Sequence, residues 1–159
     1  MHALATWTIE SRIYSLRRAA AADVPAIIEL LVADRLGATR DGGDPAPYHR
    51  AFEVIDADPA QLLVVLSTGS SVVGTMQLTF IPGLARRGAL RAQIEAVRVH
   101  EAVRSLGLGG RMFEWAIAEA RRRGCSLVQL TTDKSRADAH RFYDRLGFVA
   151  SHEGYKLPL

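Results

Sequence analysis

The clearest hydrophobic period lies in the second half of the chain. Leu108, Met112, Ala116 and Ala120 recur every four residues, with Phe113 and Ile117 beside them, which predicts an amphipathic helix over 108–123. Three arginines, Arg121 to Arg123, fill its last turn, and Gly124 supplies a C-terminal cap. The near-continuous apolar run from Ser126 to Thr132 predicts a buried central strand. Ala139, Phe142, Tyr143 and Leu146 then form a second stripe, a helix over 137–146 stopped by Gly147, and Phe148 to Leu157 reads as strand with a turn near Glu153-Gly154.

The first half is read the same way. Residues 1 to 11 have no clear period and read as an arm. Ile13 to Arg18 forms a strand, and Asp23 before Pro25 offers an N-cap with proline in the first turn. The helix that follows carries Ile27, Leu30, Leu31 and Asp34 and ends near Gly37. The loop signal of Gly37 to Pro47 separates it from a second helix over 48–55. Gln61 to Ser67 and Ser71 to Ile81, joined by Thr68-Gly69-Ser70, form a hairpin pattern. A turn from Pro82-Gly83 to Gly88 leads to a strand at Ile94 to Val99. This order implies an α/β fold, a mixed sheet flanked by helices.

Composition narrows the class. The 159 residues are 48% apolar and 23% charged, ordinary for a single globular domain spanning 1–159. No apolar stretch is long enough to span a bilayer and no signal-peptide core opens the chain, so a cytoplasmic protein with no membrane partner is expected. The formal charge is only +3 and the basic residues are scattered arginines, which argues against a nucleic-acid partner. A single cysteine, Cys125, and the absence of Cys/His spacing argue against disulfide, redox or metal chemistry.

One segment carries chemistry. Arg104-Ser105-Leu106-Gly107-Leu108-Gly109-Gly110 lies between the strand ending at Val99 and the long helix, with three glycines within four residues. Such a turn leaves a row of backbone N–H groups uncovered at a helix start, which is an anion cradle, and Arg104 adds a charge that can fork onto phosphate oxygens. A pyrophosphate is the expected ligand. Arg111 and Met112 follow the last glycine, which excludes a Walker A loop. A dinucleotide turn fits Gly107 and Gly109, with Asp133 as the ribose acid, but it wants glycine where Met112 stands.

Arg104-x-x-Gly107-x-Gly109 after Ile94-Glu95-Ala96-Val97-Arg98-Val99 resembles motif A of the GCN5-related N-acetyltransferases. The run Ala139-His140-Arg141-Phe142-Tyr143-Asp144-Arg145-Leu146-Gly147-Phe148 is similar to that family's A-x-x-F-Y-x-x-L-G-F signature. The resemblance is close over 91–157. It implies a largely antiparallel sheet of six to seven strands, acetyl-CoA as co-substrate without a metal, and transfer of an acetyl group to a primary amine, here expected to be a small molecule. It also implies that the main chain of Val97 and Val99, with Arg98, meets the pantetheine arm, and that Arg104, Ser105, Leu106, Gly107, Leu108, Gly109 and Gly110 hold the pyrophosphate. Arg136, His140 and Tyr143 join the coenzyme contacts. Arg136 stands where many members have asparagine, and a guanidinium can serve a phosphate instead. Dimers are common in the family, so a homodimer is compatible with the resemblance.

Within this frame Glu95 is the candidate general base, since burial among Ile94, Ala96, Val97 and Val99 would strengthen it; alternatively Gln93 and Glu95 share a solvated face. Tyr143 is the candidate general acid toward the coenzyme A thiolate, although its place in the Ala139 to Leu146 stripe also suits packing. In the family the thioester carbonyl is held by backbone N–H groups at a bulge, here at Val97. His100, His140 and His152 could each relay a proton at neutral pH, although a lone histidine is more often a surface or packing residue, and Cys125 reads as a small hydrophobe. Acceptor specificity is expected from Leu36 to Tyr48 and Ile81 to Arg91, which contain Asp41, Asp44, Arg40, Arg86 and Arg87 but no diagnostic motif. The alternatives are a non-catalytic acyl-CoA-binding or regulatory module and a dinucleotide-binding enzyme.

Overall fold

A computed structural model describes residues 2–33 and 37–159; Asp34 and Leu36 of the expected first helix and loop lie outside the described residues. The chain forms two compact units, Met1–Gln129 and Leu130–Leu159. In the first, strands β1 (Ala3–Ile9) and β2 (Arg12–Arg18) precede helices α1 (Val24–Val32) and α2 (Ala46–Ala57). Strands β3 (Gln61–Thr68), β4 (Ser71–Pro82) and β5 (Leu90–Val99) follow, then helix α3 (Leu108–Arg122) and strand β6 (Leu127–Leu130).

The six strands lie side by side in chain order, β1 to β6, with β1 through β5 antiparallel. β6 runs the other way relative to this alternation. The Ser126 N–H donates to the Leu90 carbonyl at 2.8 Å and Gln129 Nε2 donates to Gln93 Oε1 at 2.7 Å, so both partners advance together and the sheet is mixed. Residues 1 to 11, read as an arm, contain β1, whose hairpin with β2 turns on Glu10 and Ser11, both at positive φ (48° and 63°). Neither residue belongs to the glycine or asparagine pairs that advertise such a turn. β6, expected as a buried central strand, is the last in the order and half-buried throughout, because its neighbour in the sheet is β5.

The two faces of the sheet differ. Leu66, Met76 and Leu78 face α3, whose Leu108, Met112 and Ala116 are fully buried; a Cβ built on Gly74 would lie 3.5 Å from Met112 Sδ. Burying each such large side chain contributes about 1.5–3 kcal/mol. Arg123 lies over the Phe80 ring at 4.0 Å on the same face. On the opposite face Leu63 and Val65 pack with Val24 and Ile27 of α1 and Phe52 of α2. Asp23 occupies the expected N-cap position of α1, but its carboxylate makes no cap bond. It turns back instead to accept from Arg17 at 2.6 and 2.8 Å and from the Ala20 N–H at 2.8 Å.

The second unit contains one helix, α4 (Ala137–Arg145), ended by Gly147 at φ 87°. Phe148 to Leu157, expected as strand, has no regular structure, and Val149, Tyr155 and Leu157 are exposed, so the alternating pattern finds no ladder to join. No helix among the described residues is long and apolar enough to cross a membrane, and no group of three metal-ligating side chains occurs among them.

Candidate active site

The second half of β5 departs from regular pairing. Thr75 of β4 faces Arg98, but Gln77 faces Glu95, so Ala96 and Val97 together oppose Met76. This is a β-bulge in the strand where the resemblance implied one, and Ala96 takes it up at φ 51°. A left-handed alanine costs about 1 kcal/mol and persists where its surroundings fix it. β6 starts opposite Leu90 and is four residues long, so its ladder accompanies the first half of β5. The bulge therefore lies beyond that ladder.

From Val99 the chain turns through a 3₁₀ segment, Glu101–Leu106, into α3. His100 Nδ1 accepts from the Ala102 N–H at 3.2 Å and starts that segment. Gly107, at φ 70°, is the N-cap of α3, a conformation that glycine adopts without penalty. No side chain among the described residues caps this helix start, while the Gly107 carbonyl already accepts from the Arg111 N–H. A Cβ placed on Gly107 or Gly110 would meet nothing within 4 Å. The first-turn amides thus have no side-chain partner among the described residues, as an anion site requires. Arg104 Nε donates to the Val99 carbonyl at 2.9 Å, which ties the arginine to the strand end through one nitrogen and leaves its terminal pair for a ligand. Beside it a cleft of about 270 Å³ is lined by Leu30 and Ala33 from the end of α1 and by Val99, His100, Glu101 and Arg104.

Glu95 is exposed, so the burial expected to strengthen it is absent. The strand alternation explains this: Ala92 and Ile94 point into the core, and Gln93 and Glu95 point the other way. Val97 and Val99 are half-buried, and the Val97 carbonyl accepts from Arg98 Nη1 at 2.9 Å. Tyr143 belongs to the second unit, half-buried on α4, with the rings of Phe142 and Phe148 edge-on at 5.5 and 6.1 Å. His140 lies on the same helix and its Nε2 is 3.0 Å from the Asp133 carbonyl, which accepts, so that nitrogen carries the proton. The Arg136 N–H also donates to that carbonyl, at 3.0 Å. The structure therefore brings Glu95, Val97, Val99 and Arg104 to Gly110 together along one strand-to-helix path, and carries Arg136, His140 and Tyr143 on the other unit.

Other candidates find structural employment. Burial pushes the Cys125 thiol up, so it is a poor nucleophile. The Asp133 carboxylate accepts from both the N–H and the hydroxyl of Ser135, which holds it below the usual carboxylate range and closes a turn. Met112 is fully buried beneath Gly74 rather than at a ligand. Met112 thus counts against a dinucleotide turn in the structure as in the sequence, and Asp133 already holds a turn of its own.

Sequence reasoning missed a row of polar side chains on the Glu95 face. Gln61 Oε1 accepts from Gln77 Nε2 at 3.0 Å and from the Thr79 hydroxyl at 2.9 Å, and Gln93 pairs with Gln129. Each is a single glutamine or threonine in an otherwise ordinary strand, and only the sheet brings Gln61 and Gln129 into one row.

A bulged strand, a glycine turn and a helix follow one another here as the resemblance implied, and comparison with known proteins gives the class, an acetyltransferase. The chain belongs to the acetyltransferase (GNAT) family, whose model matches residues 24–148. A crystal structure of a transcriptional regulator from Bacillus halodurans C-125 is 44% identical, with TM-score 0.89 over 92% of this chain and 99% of that one. A protein from Agrobacterium tumefaciens str. C58, described as an acetyltransferase, is 29% identical with TM-score 0.82 over 91% and 99%. Among curated proteins, the aminoalkylphosphonate N-acetyltransferase of Salmonella typhimurium is 40% identical over 60 residues, 38% of this chain and 39% of that enzyme. The chain thus spans well under two thirds of that relative in alignment.

Proposed function

We propose that the protein is an acetyl-CoA-dependent N-acetyltransferase acting on a small primary amine. The observation that carries this reading is the uncapped start of α3 at Gly107, open to solvent beside Arg104 and the cleft.

In this reading the amides of Leu108, Gly109 and Gly110 and the Arg104 guanidinium bind the pyrophosphate, with Ser105 and Leu106 shaping the turn. The main chain of Val97 and Val99, flanked by Arg98, pairs with the pantetheine arm as an added strand does. A cleft of this size takes part of the coenzyme, not all of it. The backbone N–H at the Val97 bulge polarises the thioester carbonyl, a contribution of about 3 kcal/mol. Glu95 accepts the proton of the attacking ammonium. The amine nitrogen then bonds to the carbonyl carbon as the carbon–sulfur bond breaks; the departing thiolate takes up a proton, for which the resemblance gives Tyr143, and the second proton released from the nitrogen restores that donor, giving the amide and free thiol. The resemblance adds Arg136 and His140 to the coenzyme contacts.

Isothermal titration with acetyl-CoA and with NAD, followed by a thiol-release assay over a panel of amines, tests the reading. Heat with acetyl-CoA and thiol release are expected; heat with NAD alone would overturn it. The 44% identical relative is named as a transcriptional regulator, which favours one second reading, a non-catalytic acyl-CoA-binding module. Acetyl-CoA binding with no thiol release from any amine would select it.

A further inference from the structure

The sheet face that carries Glu95 changes character along β5. Near α1 and α2 it is apolar, through Leu63 and Val65. One residue pair further along it becomes a line of neutral hydrogen-bonding groups crossing four strands: Gln61 of β3 faces Thr79 of β4, Thr79 faces Gln93 of β5, and Gln93 bonds Gln129 of β6 at 2.7 Å. At strand spacing this line is about 14 Å long. In the adjacent pair Gln77 faces Glu95 directly.

These side chains are half-buried, and their internal bonds leave defined groups over. Gln61 spends its oxygen on Gln77 and Thr79, and its amide nitrogen has no partner among the described residues. Gln77 and Gln129 spend their nitrogens and keep their oxygens, while Gln93 spends its oxygen and keeps its nitrogen. The line thus presents both donors and acceptors and no charge. Glutamines that hold one another through one end are ordered before a ligand arrives, so little side-chain entropy is lost on binding.

Position along β5 gives this line a direction. The cleft and the phosphate turn lie at Val99 and beyond, Glu95 stands before them, and Gln93 is the preceding residue on the same face. Glu95 therefore separates the side that would receive the coenzyme from the side that carries the glutamines.

We propose that Gln61, Gln77, Thr79, Gln93 and Gln129 form the floor of the acceptor subsite, and that the acceptor is a small primary amine bearing several hydroxyl or amide groups. This rests on the acetyltransferase reading above. Neutral donors and acceptors in a half-buried row reward a ligand that matches them and penalise an alkyl amine, which would leave them unpaired. An anionic amine finds no cation among these five, and Arg91, the next residue on this face of β5, has a terminal nitrogen within 3.3 Å of the Cβ position of Gly83.

The test is a thiol-release assay with acetyl-CoA and three amines: a hexosamine, hexylamine and 2-aminoethylphosphonate. The hexosamine is expected to give the highest kcat/KM. Gln93→Leu is expected to raise its KM at least about tenfold, with kcat within about threefold and the KM for acetyl-CoA within about twofold. A purely structural role would lower stability without that split. If Gln93→Leu loses its fold by circular dichroism, Gln77→Met is expected to give the same KM rise. Highest kcat/KM for hexylamine or the phosphonate, or an unchanged KM in the folded variant, would overturn the acceptor floor alone. Thiol release from none of the three would overturn the enzymatic reading and this inference together.

Discussion

Two strand-to-helix junctions in this molecule handle the same physical problem in opposite ways. Between β2 and α1 the charged groups are paired internally, although no side chain caps α1 either: Asp23 takes a bidentate bond from Arg17 and one from the Ala20 N–H, and Pro25 removes one orphan donor from the first turn. Between β5 and α3 the helix start itself has no side-chain acceptor, since glycine is the N-cap and no described side chain reaches the first amides. The first arrangement stabilises the fold. The second leaves positive ends of N–H dipoles facing outward, which is useful only if something anionic binds there.

The comparison breaks most visibly at the closed junction. Asp23→Ala removes both bonds between a mostly buried guanidinium and its carboxylate and should cost about 3 kcal/mol in urea unfolding at neutral pH. Arg17 holds the Asp23 carboxyl below its usual range, so its stabilisation is complete above the unfolded value and is lost as pH falls through the folded one. The gap between wild type and variant should be constant above about pH 5 and narrow below about pH 4. A gap that widens in acid would contradict the assignment.

At the open junction the expected signs reverse. Gly110→Asp places an acid in the first turn, which favours the helix, and its Cβ enters free space, so the melting temperature should hold or rise. Acetyl-CoA affinity should nevertheless fall about 100-fold, close to 2.7 kcal/mol, measured by titration calorimetry. Loss of stability together with unchanged affinity would show that the glycine serves packing.

Glu95→Gln should lower kcat about thirtyfold, short of the usual range for a buried base because Glu95 is exposed, and leave the acetyl-CoA Kd unchanged. Full activity across pH would remove it from the mechanism. The smallest effect is expected from Ala96→Gly, which relieves the φ 51° alanine and should add up to about 1 kcal/mol of stability, visible as a rise of a few degrees in melting temperature.

What the sequence disclosed follows from the range of the interactions involved. The glycine turn and α3 were legible because φ preference and a four-residue stripe are local properties of Gly107 and of Leu108 to Ala120. The β3–β4 hairpin was legible for the same reason. β1 was not, because its turn at Glu10-Ser11 forces positive φ on residues that do not announce it. The strand pattern of Phe148 to Leu157 was local too, but a strand also needs a partner ladder, and none is formed there. Glu95 was expected to be buried because its neighbours in sequence are apolar, whereas alternation puts it on the other face from Ile94. The bulge at Ala96 was implied by resemblance and by no residue in it, and the glutamine row exists only once four strands are aligned.

The central claim is that the exposed amides at the start of α3 grip a diphosphate. It is tested most directly by titrating the intact protein with coenzyme A and with pantetheine, which keeps the thiol arm and lacks the diphosphate. Coenzyme A is expected to bind at least about 100-fold more tightly, with an affinity that weakens as salt is raised. Equal affinities, insensitive to salt, would contradict the account.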